Sequence, residues 1–91
     1  MRVGQARKRD ANEQAIVGAL EAIGVLVWRI SGKGLPDLLT FWRGRWLPVE
    51  IKRLRRRRER GLTPAQEQTY AATHYPVVCT IDEALALFRV T

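Results

Sequence analysis

The chain has 91 residues, a formal net charge of +7 and a sequence pI of about 10.8. That makes one small domain over 1–91, able to bury only about 60% of its unfolded surface, and its charge favours an anionic partner, nucleic acid foremost, over a merely soluble basic protein. A single cysteine, Cys79, excludes an intrachain disulfide framework and a zinc site built of cysteines.

Residues 1–9 are polar and basic and are expected to form a flexible arm, with no signal-peptide core behind it. No apolar run reaches membrane-spanning length, so a cytoplasmic protein is expected, with no membrane partner and no small-molecule cofactor. Asp10 or Asn12 caps a first helix that runs to Ile23 and ends at Gly24. Ile16, Val17, Leu20 and Ile23 form its apolar stripe, and Glu13 extends that stripe by one turn. Glu13 thus faces the protein, where a carboxylate needs a partner. It is either a third acid at a functional site or an acid favoured by the helix dipole.

Val25–Ile30 reads as a strand, followed by a flexible loop, Ser31-Gly32-Lys33-Gly34. A phosphate-loop reading of Gly-Lys fails, because that pattern needs glycine at Val27 and Ser or Thr at Gly34. Lys33 remains a loop cation able to touch a phosphate.

Next come two β-favouring runs broken by Arg43-Gly44, a hairpin signal. A turn at Arg43-Gly44 sets Trp42 opposite Arg45, Phe41 opposite Trp46 and, further along, Asp37 opposite Glu50. Counted from the turn, the Asp37/Glu50 pair is non-hydrogen-bonded, the type in which side chains come closest. Lys52 lies two residues beyond Glu50 and points to the same face. Opposed carboxylates destabilise a sheet, and a divalent cation removes the conflict. Mg²⁺ or Mn²⁺ with carboxylate ligands supplies phosphoryl-transfer chemistry, and a neighbouring lysine can position water or neutralise the transition state.

The hairpin is apolar on both faces, with Leu38, Leu47, Val49 and Ile51 on one and Leu39, Phe41 and Trp46 on the other. Both faces are therefore expected to be covered, by helices or by a second subunit. Pro48 falls in a non-hydrogen-bonded pair with Leu39, or else marks a bulge. Trp28 and Trp46 read as core rather than as base-stacking residues, and Trp42, beside the turn, as a possible dimer contact.

Lys52–Arg60 holds seven basic residues in nine. It is either a solvated charge run or a phosphate-tracking loop, and its start at Lys52 favours the second. Thr63-Pro64-Ala65-Gln66 is a capping box opening a second helix to Thr73, which by itself explains Gln66. His74, the only histidine, has no companion ligand. Val77–Cys79 forms a last strand with Cys79 buried in it, and Thr80–Glu83 is a second capping box opening a helix to Phe88, buried through Leu85 and Phe88. The order α-β-β-β-α-β-α, with a strand-helix-strand crossover after the hairpin, implies an α/β fold with a mixed sheet.

Four blocks in order carry a family resemblance: Glu13; Gly34-Leu35-Pro36-Asp37-Leu38; Glu50-Ile51-Lys52; and Thr63-Pro64-Ala65-Gln66. Pro36-Asp37 followed by Glu50-Ile51-Lys52 resembles the PD-(D/E)XK nuclease signature. The fuller pattern, spanning about Glu13 to Phe88, resembles its virus-type replication-repair nuclease branch, VRR-NUC. The resemblance implies a minimal restriction-endonuclease-like core and a Mg²⁺- or Mn²⁺-dependent DNA endonuclease. It implies metal ligands at Asp37, Glu50, the Ile51 backbone carbonyl and Glu13, with catalytic roles for Asp37, Glu50, Lys52, Gln66 and Glu13. It further implies 3′-hydroxyl and 5′-phosphate products and homodimers acting on branched DNA such as four-way junctions, in DNA repair. Lys33, Arg53, Arg55, Arg56, Arg57, Arg58 and Arg60 are the expected DNA-binding residues. The competing expectations are a non-catalytic basic DNA-binding module on the same fold and a nuclease of other substrate preference.

Overall fold

In the computed structural model, residues 11–53 and 62–89 are described. The first helix, α1 (Ala11–Ala22), buries Glu13, Ile16, Val17 and Leu20. It stops one residue before the expected end. Gly24, at φ 93°, adopts the left-handed conformation that closes a helix, which leaves Ile23 in the turn and 45% exposed rather than on the stripe. Asn12 does not cap the helix. It lies inside it, and its Nδ2 donates to the Cys79 carbonyl (3.2 Å), tying the start of α1 to a distant segment of the chain.

The strands are β1 (Leu26–Arg29), β2 (Leu38–Trp42), β3 (Arg45–Ile51) and β4 (Val77–Val78). They form a four-stranded sheet in the order β1-β2-β3-β4. The first two pairings are antiparallel and the last is parallel, so the sheet is mixed as the crossover requires. The hairpin register is the expected one, with Trp42 paired to Arg45, Phe41 to Trp46 and Leu38 to Val49. Arg43 and Gly44 both have positive φ, 52° and 82°, as a two-residue type I′ turn demands. Pro48 pairs with Leu39, where this ladder needs no N–H from it.

The crossover carries α2 (Pro64–Thr73), and α3 (Ile81–Ala86) closes the described fold. At α2 the capping box is complete: Thr63 Oγ1 accepts from Gln66 N and Gln66 Oε1 accepts from Thr63 N, both at 3.1 Å. At α3 the box is not reciprocal. Thr80 caps Glu83 N, but the Glu83 carboxylate reaches one residue further back and accepts from Cys79 N (2.7 Å). The helix ends at Ala86, two residues short of Phe88, though Phe88 is buried as expected.

Alternation along the strands separates the two faces of the sheet. On one, Leu38, Val49, Ile51 and Val78 pack under Ile16, Val17 and Leu20 of α1 and Ala84 and Phe88 from the C-terminal segment. Thr40 is buried on this face with its hydroxyl donating to the Leu47 carbonyl (2.7 Å). On the other face Trp28 and Trp46 are each 51% exposed and Leu26 48%. Core positions for Trp28 and Trp46, and full cover on both faces, are therefore corrected. Among the described residues α2 lies over only one end of this face, at Glu50.

Candidate active site

Three local features build the site. The hairpin register carries the chain back from Val49 to Glu50 opposite the point where β2 begins. The parallel pairing with β4, through Glu50 N to Pro76 O and Lys52 N to Val78 O (both 2.9 Å), holds the end of β3 inside the sheet. The capped first turn of α2 then lies against Leu35 and Glu50.

Asp37 sits just before β2, and its main chain still joins the sheet, with its carbonyl accepting from Ile30 N (2.9 Å). Continuing the β2/β3 register, Ile51 would face Pro36. Instead the Asp37 carboxylate takes the Ile51 N–H, at 3.0 Å from Oδ2. A residue's N–H and C=O point to the same side of a strand, so the Ile51 carbonyl is directed to the Asp37 side as well.

Glu50 is 1% exposed. Its Oε2 accepts from Lys52 Nζ (3.0 Å) and from Gln66 Nε2 (3.2 Å). Its Oε1 is buried without a hydrogen-bond partner among the described residues. Burial, and next the negative charge of Asp37, push the Glu50 carboxyl above its ordinary range, against the opposing pull of Lys52 and Gln66. A buried carboxylate oxygen left unpartnered costs stability, typically about 1–3 kcal/mol. With Asp37 beside it and a backbone carbonyl on the same edge, the donor set is all oxygen and partly anionic, which fits a hard divalent cation such as Mg²⁺ or Mn²⁺.

Gln66 both caps the helix and reaches Glu50. Its Oε1 caps α2, while its Nε2 donates to Glu50 and to the Leu35 carbonyl (3.2 Å each). Glutamine rather than glutamate is needed, because only the amide offers an acceptor to the helix and donors to the site.

Glu13 is 5% exposed and paired with Arg29 Nε at 3.1 Å. No cluster of three or more His, Cys, Asp or Glu side chains that could hold a metal ion occurs among the described residues, so Glu13 is not gathered with Asp37 and Glu50 into a three-acid group. The reason is topological: α1 packs on the core face, and Arg29 stands there beside Leu38. A charged residue inside the otherwise apolar Val25–Ile30 run was the available signal for that pairing.

Lys33 lines an open hollow of about 490 Å³ between Gly32–Gly34 and Thr63–Gln66, beside the site. Arg53 is exposed immediately after Lys52. Arg55, Arg56, Arg57, Arg58 and Arg60 lie outside the described residues.

Sequence reasoning missed Tyr75. It is 2% exposed, and its hydroxyl donates to the Gln66 carbonyl (3.3 Å). Burial and then the charges of Glu50 and Asp37 push its phenol upward, so it stays a neutral donor bracing α2 beside the carboxylates. Its place just before Pro76, which accepts from Glu50 N, was legible only once β3 and β4 were known to pair.

No helix among the described residues is long and apolar enough to cross a membrane. Compared with known proteins, the chain matches no family model, no curated protein and no solved structure.

Proposed function

We propose that the chain is a metal-dependent DNA endonuclease on a minimal restriction-endonuclease-like core, of the kind its VRR-NUC-like blocks suggest. The observation that carries this is Glu50. A carboxylate 1% exposed, with one oxygen held by Lys52 and Gln66 and the other unpartnered beside Asp37, is costly unless a ligand uses it.

Asp37, Glu50 and the Ile51 carbonyl would hold Mg²⁺ or Mn²⁺. When bound, the cation supplies Lewis-acid polarisation of the phosphate and a more acidic water. The protein's own groups do the rest. Gln66, pinned by Thr63 N and the Leu35 carbonyl, fixes the orientation of the Glu50 carboxylate. Lys52 Nζ, 3.0 Å from Glu50 Oε2, places a cation where charge builds on a phosphoryl group. Water oxygen forms the new bond to phosphorus, and the bond to the 3′ oxygen breaks. That oxygen leaves with a proton as the 3′-hydroxyl and the phosphate stays on the 5′ end. Lys33, Arg53 and the run Arg55–Arg58 with Arg60 would neutralise flanking phosphates, giving affinity without sequence specificity. A homodimer acting on branched DNA such as a four-way junction belongs to the same proposal.

The test is incubation of the protein with matched duplex, flap, splayed and four-way DNAs in Mg²⁺, Mn²⁺ or EDTA. Cleavage is expected with metal alone, and Asp37→Ala, Glu50→Ala and Lys52→Ala should each lose at least about a hundredfold in rate. DNA binding without any metal-dependent cleavage would favour a non-catalytic basic DNA-binding module instead. Full activity in purified Asp37→Ala would remove the assignment.

A further inference from the structure

The sheet face that bears Glu50 continues beyond the site as an open aromatic surface. Pairing fixes its members: Trp28 faces Leu39, Leu26 faces Phe41, and Phe41 faces Trp46. Pro48 and then Glu50 follow Trp46 at two-residue steps, so they share the face. The rings form one cluster, with Trp28 and Trp46 centroids 5.2 Å apart and Phe41 and Trp46 4.7 Å apart. Half of each tryptophan is in water, the environment that most favours covering it.

Two observations choose the occupant. Leu26, Trp28 and Trp46 together present roughly 350 Å² of exposed side chain, well short of the about 800 Å² per partner of a standard protein interface. The chain is also cationic, with a net charge of +7. Lys52, two residues beyond Glu50, shares the aromatic face, whereas Arg45 alternates onto the core face with Trp42, over whose ring Arg43 lies at 4.5 Å. A second copy of so basic a chain would bring like charges to this face. A polyanion with flat apolar faces matches both the charge of the chain and the open rings. We propose that this face binds an unpaired DNA strand, its bases stacked on Trp28 and Trp46.

This deepens the nuclease proposal and rests on it for the direction of the strand. Trp46 lies four residues from Glu50 along β3, about 13 Å at the rise of a strand. That equals about four stacked base steps of 3.4 Å. A phosphate at Asp37 and Glu50 would therefore carry unpaired bases on one side to the tryptophans. Double-stranded DNA has no free base faces to offer there.

The experiment measures binding in EDTA, so it does not depend on cleavage. Tryptophan fluorescence and anisotropy are followed as a twelve-nucleotide oligo-dT, or a twelve-base-pair hairpin duplex, is titrated into the full chain. Trp28→Ala and Trp46→Ala should each weaken oligo-dT binding by about tenfold and leave duplex binding within about twofold. Trp46→Phe, which keeps an aromatic face, should retain most of the affinity and shows whether an alanine variant failed through folding. Equal loss for both DNAs, or no loss for either, overturns the proposal. So does conversion of a dimer to a monomer by Trp46→Ala without a change in oligo-dT affinity, which would make the face an interface between copies. If these binding results hold but no DNA is cleaved, the nuclease proposal fails while the stacking surface stands. Normal cleavage with tryptophan-insensitive binding gives the converse.

Discussion

Burial and the Asp37 charge both favour the protonated form of Glu50. A carboxyl raised in the folded state stabilises the fold fully below its unfolded value, 4.5, and that contribution is lost as pH rises through the folded value. Without metal, Glu50→Gln should thus flatten the fall in melting temperature between about pH 4.5 and neutrality, a comparison made by thermal melts in EDTA. Asp37→Asn removes one of the opposed charges but keeps an oxygen for the Ile51 N–H. Two charges about 5 Å apart repel by roughly 3 kcal/mol at an effective dielectric near 20, of which about 1 kcal/mol survives screening by Lys52 and solvent. Asp37→Asn should therefore melt at or above the parent in EDTA and gain little from excess Mg²⁺, whereas the parent gains clearly. A low melting temperature in EDTA with the full Mg²⁺ gain would mean that the two carboxylates share no ion. Gln66→Glu keeps the cap acceptor but sets a third carboxylate against Glu50. At neutral pH in EDTA it should lose about 1–3 kcal/mol, a loss that shrinks in acid as the added carboxyl is protonated. A variant that melts and cleaves like the parent would leave Gln66 as a cap only.

Helix α2 buries no side chain fully, so its placement depends on its first turn and on a close approach at Gly34. Gly34 has φ 81°, and a Cβ there would lie 3.1 Å from the Ala65 carbonyl oxygen and 3.2 Å from Thr69 Oγ1. Both the left-handed backbone and the packing exclude a side chain. Gly34→Ala should cost about 1–3 kcal/mol and shift α2 away from Leu35 and Glu50. Its signature is a cleavage rate that falls more than DNA affinity does, because Gln66 moves while the basic residues stay. Equal rates and equal melting temperatures would show that α2 tolerates the displacement. The strand crossing is firmer: Glu50 and Lys52 donate their amides to the Pro76 and Val78 carbonyls, which ties the end of β3 to the β4 segment.

For the whole molecule, the sheet is covered unevenly. One face holds the core under α1 and α3, and the other carries the carboxylates at one end and half-exposed tryptophans at the other. In the proposed function, chemistry and affinity are also separated along the chain. Arg55–Arg58 are proposed to act through phosphate charge alone, so their replacement by Gln should weaken binding across all sequences and lower the salt slope by up to about 3.6 on duplex DNA. An unchanged slope in binding titrations from low to high salt would mean that the run is solvated and idle. The +7 net charge makes some salt dependence unavoidable, so the decisive quantity is the difference between variant and parent.

The hairpin, its register and the convergence of Asp37, Glu50 and Lys52 were determined locally. Side chains in a strand alternate strictly, a two-residue turn allows one register, and Arg43-Gly44 marks that turn. The mixed sheet followed from the order of elements, since a crossover helix returns a strand parallel to its partner. The capping box at Thr63 was legible for the same local reason, but not the second use of its Gln66 amide, because the distance to Glu50 depends on how α2 docks. Glu13 shows the limit most plainly. Helical spacing placed it against the protein, yet only packing decided that Arg29 would meet it there. Which tryptophans are buried was equally a tertiary matter. Strand alternation assigns Trp28 and Trp46 to a face, but a face becomes core only when another layer covers it, and both described core helices, α1 and α3, pack on the other side.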